Sequence, residues 1–151
     1  MISHRHNPTS YILRVLWFAL AILFGSLAPG VSQSPSPATI TLSGQVAGAT
    51  GKHTVYVALW DAAGFLTHPV QQVRFDPPNT PAFHFQVQPG RWALSAYEDS
   101  NGNGVLDMGM FGPKEPSGFW HPFHAWRKPR FDDVAVQIDH DTTGADIKLD
   151  R

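Results

Sequence analysis

The chain has 151 residues, a formal charge of −1 and no cysteine. That is one domain's length. The missing thiols exclude disulfides, a zinc–thiolate site and a lipid-anchored N-terminal cysteine. A charge this close to neutral excludes electrostatic recruitment by nucleic acid or an anionic membrane, and no nucleic-acid-binding motif appears.

The chain opens with "MISHRHNPTSYILR", which carries His and Arg and no acid, followed by the apolar run "VLWFALAILFGSLA". That run is shorter than the roughly 20 residues a helix needs to span a bilayer. A basic start, a short apolar run and small residues after it predict a secretory signal peptide over 1–32, cut before Gln33. An uncleaved anchor is the alternative. Cleavage removes Arg5 and Arg14, leaving nine basic residues against twelve acids, a formal charge of −3. The expected mature protein is periplasmic or extracellular, with no membrane span of its own. Residues 33–38 are Ser/Pro-rich and read as a tether, and 39–151 as the folded domain.

Period-two alternation then recurs. "TITLSGQV" puts Ile40, Leu42 and Val46 on one face, and "HTVYVALW" does so with Val55, Val57 and Leu59. "VQQVRF" is a weaker strand. "AFHFQVQ" turns Phe83, Phe85 and Val87 inward, with His84 and Gln86 outward. "QPGRW" reads as a tight hairpin turn, since Pro89-Gly90 suits type II geometry. "RWALSAYE" offers Trp92, Leu94 and Ala96; "FDDVAVQI" offers Val134, Val136 and Ile138; "ADIKLD" offers Ile147 and Leu149. About seven short strands without helical periodicity predict an all-β fold. The expected form is an antiparallel β-sandwich of immunoglobulin-like or transthyretin-like architecture. One long irregular loop, from Tyr97 to Phe131, interrupts it, and a loop of that length is expected to carry function.

Within that loop, "YEDSNGNGVLDMGMFG" places Asp99, Asn101, Asn103 and Asp107 at regular spacing, with Gly102 and Gly104 between. Calcium takes roughly six to eight oxygen ligands, and its helix–loop–helix motif uses positions one, three, five and nine, with glycine at six and a backbone carbonyl at seven. Counting from Asp99, those positions are Asn101, Asn103, Asp107, Gly104 and Val105. Position twelve is Met110 instead of the bidentate Glu, and no helices flank the loop, so this is half of that motif on a β-scaffold. Asp99, Asn101, Asn103, Val105 and Asp107 are the expected calcium ligands, with Glu98 or Glu115 completing the shell. Magnesium demands a stricter octahedron, and transition metals want nitrogen or sulfur. The competing reading is an Asx-rich turn capped on its own backbone without an ion.

"WALSAYEDSNGNGVLDMGMFGPKEPSGFW" and "KPRFDDVAVQI" together resemble a family of exported bacterial proteins, domain of unknown function 2141. The matching residues are Asp99, Asn101, Asn103, Gly104, Asp107, Gly112, Pro113, Glu115, Gly118, Phe119, Pro129, Phe131 and Asp132. The resemblance spans about Ser43 to Leu149 and implies an exported β-sandwich without implying a reaction. The chain departs from the family pattern at Trp120, where Ser is more usual, and at "HPFHAW".

"GFWHPFHAWRKPRF" sets Phe119, Trp120, Phe123, Trp126 and Phe131 among basic residues. One reading is a hydrophobic flap over the end of the sandwich, with Trp120 and Trp126 at least half-buried. The other is a recognition platform in which Phe119, Trp120 and Trp126 bind a glycan or a peptide. Pro122 keeps His121 and His124 from a helical metal pair, and two histidines lack a third ligand. No nucleophile elbow, zinc-protease motif or phosphate loop is present. Glu98 and Asp99 are adjacent and face opposite sides of a strand, so they make no catalytic pair. The sequence therefore predicts a non-catalytic exported module, calcium-ordered, with a binding or envelope/matrix structural role. A recognition module is the alternative, and a hydrolase at the acidic loop a more distant one.

Overall fold

The computed structural model describes residues 38–78, 80–124 and 127–150. The expected signal peptide (1–32), the tether except its last residue, and Trp126 lie outside the described residues. Alternating apolar residues give the principal strands as the sequence predicts: β1 (Ile40–Ala47), β2 (Thr54–Trp60), β3 (Gln71–Phe75), β4 (Ala82–Val87) and β5 (Gly90–Asp99). Short elements follow: β6 (Met108–Gly109), β7 (Gly112–Pro113), β8 (Ser117–Phe119), α1 (Phe131–Val134), β9 (Val136–Ile138) and β10 (Ile147–Lys148).

They form two principal sheets. One runs β10-β1-β4; the other runs β3-β2-β5-β8, with β9 also paired to β5. β6 and β7 make a separate hairpin. Leu42, Phe83, Phe85 and Ile147 from the first sheet and Val55, Val57, Leu59 and Leu94 from the second form one buried cluster. This is a sandwich-like all-β arrangement: each sheet hides one apolar face against the other. β5 is buried on both faces at its centre, where Ala93 joins Leu94, and the edge it turns away from β2 pairs with β9 and β8.

Four expectations need correction. The sheets are not wholly antiparallel, because β1 and β10 run parallel, with Val46 opposite Ile147. The two come from opposite ends of the domain, so no tight turn dictates their direction. Residues 88–92 are not a hairpin between paired strands: β4 pairs with β1 while β5 pairs with β2, and the turn carries the chain from one sheet to the other. Phe131–Val134 is a helical turn, and the strand begins only at Val136. There the Asp133 carboxylate accepts the Arg130 N–H at 2.7 Å, a capping-box contact that wins over alternation. Finally, the long irregular segment contains β8, a real edge of the second sheet. Gly118 lets it come close: a Cβ there would lie 2.1 Å from the Lys148 carbonyl oxygen.

Candidate functional site

β5 ends in two carboxylates with different duties. Antiparallel pairing sets Glu98 opposite Val55 and Asp99 opposite Thr54. Glu98 is 0% exposed and Asp99 3%. Glu98 accepts the Thr50 N–H at 3.0 and 3.1 Å and also the Thr50 hydroxyl, fixing the β1–β2 connection. Asp99 turns into the following loop. Its Oδ1 accepts the N–H of Gly102 at 2.8 Å and of Asn103 at 3.2 Å, and its Oδ2 that of Gly104 at 2.8 Å. Gly102 and Gly104 have φ of +75° and +79°, the left-handed region that lets the chain curl around one carboxylate.

The remaining polar side chains close the turn. Asn101 Oδ1 accepts the Asn103 N–H at 3.0 Å, and Asn103 Oδ1 accepts the Val105 N–H at 2.9 Å. Both carboxamide nitrogens donate to Asp107 Oδ2, Asn101 at 2.6 Å and Asn103 at 3.1 Å. Glu115, 4% exposed, reaches back under the loop and accepts the N–H of Ser100 at 2.7 Å and of Asp107 at 3.2 Å. Tyr97, stacked on Tyr56 with ring centroids 5.1 Å apart, donates its hydroxyl to the Gly104 carbonyl at 3.0 Å. Burial pushes the Tyr97 phenol well above its ordinary pKa, and the neighbouring Tyr56, Asp99 and Glu115 add to it.

The structure thus brings Asp99, Asn101, Asn103 and Asp107 together around one turn, while the Val105 side chain points to solvent. Glu115 is held by backbone N–H groups beside them, and Glu98 is engaged by Thr50. Among the described residues, no three His, Cys, Asp or Glu side chains gather closely enough to hold an ion. Any cation here would depend on the two asparagine oxygens as well as on Asp99 and Asp107.

Directly after the loop, the β6–β7 hairpin carries Met110 and Phe111 at its tip, 91% and 87% exposed, with Met108 and Val105 also exposed. Its base is tied to the loop by the Lys114 N–H on the Asp107 carbonyl at 2.8 Å. The sequence marks this tip only by an apolar Met-Phe pair between two glycines, Gly109 and Gly112.

In the aromatic segment, Phe119 lies on β8 opposite Ser95, and Trp120 is half-buried against the core. Phe65 is the hub: its ring centroid lies 6.2 Å from Phe119, 5.8 Å from Phe131 and 6.1 Å from Trp60. Arg127 grips Asp133 with two hydrogen bonds, at 2.6 and 2.8 Å, and lies 5.1 Å over the Phe123 ring. That guanidinium, helped by the Arg130 N–H, holds the Asp133 carboxyl well below the usual carboxylate range. His121 and His124 are exposed.

Fold and loop together define an all-β module whose irregular segment is closed by buried carboxylates on backbone N–H groups. The family model described as "Uncharacterized protein conserved in bacteria (DUF2141)" matches residues 45–145, and the chain belongs to that family. No curated protein and no solved structure matches it.

Proposed function

We propose that this is an exported, non-catalytic β-module of immunoglobulin-like or transthyretin-like architecture whose 99–107 loop takes one calcium ion, serving a binding or envelope/matrix role. The observation that carries the reading is the convergence of Asn101 and Asn103 on Asp107 Oδ2 around the turn that Asp99 holds. Each asparagine Oδ1 spends one lone pair on a backbone N–H and keeps a second. Asp99, Asn101, Asn103 and Asp107 would supply side-chain oxygens and Val105 its carbonyl. The amide N–H groups now on Asp107 compete with the ion, so binding requires Asp107 to exchange them for it.

The test is a melting scan of the mature domain in calcium and in chelator. A hundredfold excess over Kd stabilises by about 2.7 kcal/mol, a rise of roughly ten degrees for a domain this size. Asp107→Ala abolishes most of that rise and Glu115→Ala less of it. A melting temperature indifferent to calcium and chelator returns the loop to a self-capped turn. Export rests on the apolar run before the tether; N-terminal sequencing that finds residues 15–28 retained would overturn cleavage.

Recognition of a glycan, a peptide or another envelope component is the second reading. Its support is the exposed Met110–Phe111 tip, while Phe119 and Trp120 are partly buried. An array screen in which Phe111→Ser binds as the wild type does would remove the tip from that role.

A further inference from the structure

Asn101 and Asn103 are each followed by a glycine, Gly102 and Gly104, and all four are exposed. In an Asn-Gly pair the glycine nitrogen attacks the side-chain Cγ, since no Cβ crowds its approach. The new N–Cγ bond closes a succinimide, the Cγ–Nδ2 bond breaks, and ammonia leaves with the proton the nitrogen gave up. Water then opens the ring at either carbonyl, giving aspartate or isoaspartate, and nothing is oxidised or reduced. Steric shielding is weak here. No neighbouring atom lies within 4 Å of a Cβ position at Gly102, and at Gly104 the nearest is the Tyr56 hydroxyl at 3.7 Å.

The attacking atoms are nevertheless engaged. The Gly102 and Gly104 N–H groups both donate to the Asp99 carboxylate, at 2.8 Å each. Attack needs the nitrogen to lose its proton, and a carboxylate in contact disfavours the anion that results. The carboxamides are pinned at both ends, Oδ1 on a backbone N–H and Nδ2 on Asp107. Neither can rotate toward the following nitrogen without breaking two hydrogen bonds. From this geometry we infer that Asn101 and Asn103 are deamidation sites held in check by Asp99 and converted when the loop opens.

The product changes what the loop needs. Deamidation removes the N–H donors that now satisfy Asp107 Oδ2 and sets new carboxylates against it. The converted loop repels itself unless a cation neutralises it, and the two added negative charges raise the ligand charge that tunes calcium affinity. This last step rests on the calcium reading; the gating by Asp99 does not.

The experiment follows isoaspartate and aspartate at 101 and 103 by peptide mass mapping at mildly alkaline pH. It compares the native protein, the same protein in urea, and the Asp99→Asn and Tyr97→Phe variants. The native rate is slower than the urea rate by at least about tenfold, as a loop that reacts only on local opening requires. Asp99→Asn, which leaves one acceptor oxygen, recovers most of that difference. Tyr97→Phe frees the Gly104 carbonyl and speeds Asn103 more than Asn101, which keeps the test valid if Asp99→Asn does not fold. Native and urea rates within about twofold of each other, or a folded Asp99→Asn that deamidates no faster than wild type, would overturn the inference. The Asn101→Asp/Asn103→Asp double variant melts below wild type in chelator and gains more from added calcium. If calcium moves neither protein, the calcium reading fails while the rate comparison still decides the gating.

Discussion

From Asp99 to Asp107 the chain is closed by carboxylates on backbone N–H groups, and each of these hydrogen bonds joins residues close in sequence, Glu115 being the farthest partner. From Phe119 to Phe131 it is closed, among the described residues, by rings and by Asp133, which pairs with Arg127 and Arg130. There the organising residue is Phe65, more than fifty positions upstream. Polar closure is directional and local, so each bond depends on a particular oxygen and a particular turn. Ring closure is area-driven and tolerant of angle, so it draws on whatever apolar surface the fold brings near. One half of the irregular segment should therefore fail sharply and the other gradually.

The largest effect expected is that of Asp99→Ala. It strips the Gly102 and Gly104 N–H groups of their acceptor and leaves the Asn103 N–H with Asn101 Oδ1 alone, and we expect a loss of about 3 kcal/mol, read as the urea midpoint. If Asp99→Ala costs no more than a surface substitution, the loop is held by something other than Asp99. Next comes Trp120→Ala. A fully buried Trp costs about 3–5 kcal/mol to truncate, and a half-buried one about 2 kcal/mol. Trp120→Phe should restore most of the loss, because area and not direction is at stake. A Trp120→Phe protein as unstable as the alanine variant would break the contrast.

The smallest effect is at Asp133, and it is a pH effect. Arg127 and the Arg130 N–H depress its folded-state pKa. Its contribution is therefore present above the unfolded carboxylate value, near about 4, and is lost as pH falls through the lower folded value. Asp133→Asn should lower neutral-pH stability slightly, since solvent screens the pair, and flatten the acid side of the stability profile by the same small amount. An acid limb identical in the two proteins would show that the pair is only a surface contact.

The same contrast explains what was legible in the sequence. Strands β1, β2, β4 and β5 announce themselves because apolar alternation at Ile40, Val55, Phe83 and Leu94 is enforced by burial of one face. The gathering of Asp99, Asn101, Asn103 and Asp107 is legible because Asx-turn contacts depend on spacing alone. The Phe65 hub was not legible: a single phenylalanine in "DAAGFLT" says nothing of which distant rings it meets. Residues 131–138 misled because Phe131 and Val134 sit three apart, a spacing with helical meaning that one capping contact at Asp133 decides. The parallel partner of β1 was also hidden. Strand direction is set by tertiary packing and leaves no mark in the alternation of "ADIKLD".

That parallel partner reaches beyond architecture. β1 lies between β4 and β10, and the Thr41 and Gln45 N–H groups find acceptors on Asp141 and Asp146, a hundred or so residues away. The Ser43 N–H likewise waits for the Thr142 carbonyl, at 2.9 Å. A chain made from its N-terminus onward cannot complete its first sheet until its last strand exists. Such long-range pairing puts loop closure ahead of contact energy and places folding in the slow, millisecond-to-second range of β-proteins. Until residues 141–149 arrive, β1 offers one open edge, a template for pairing with another chain that the last strand closes.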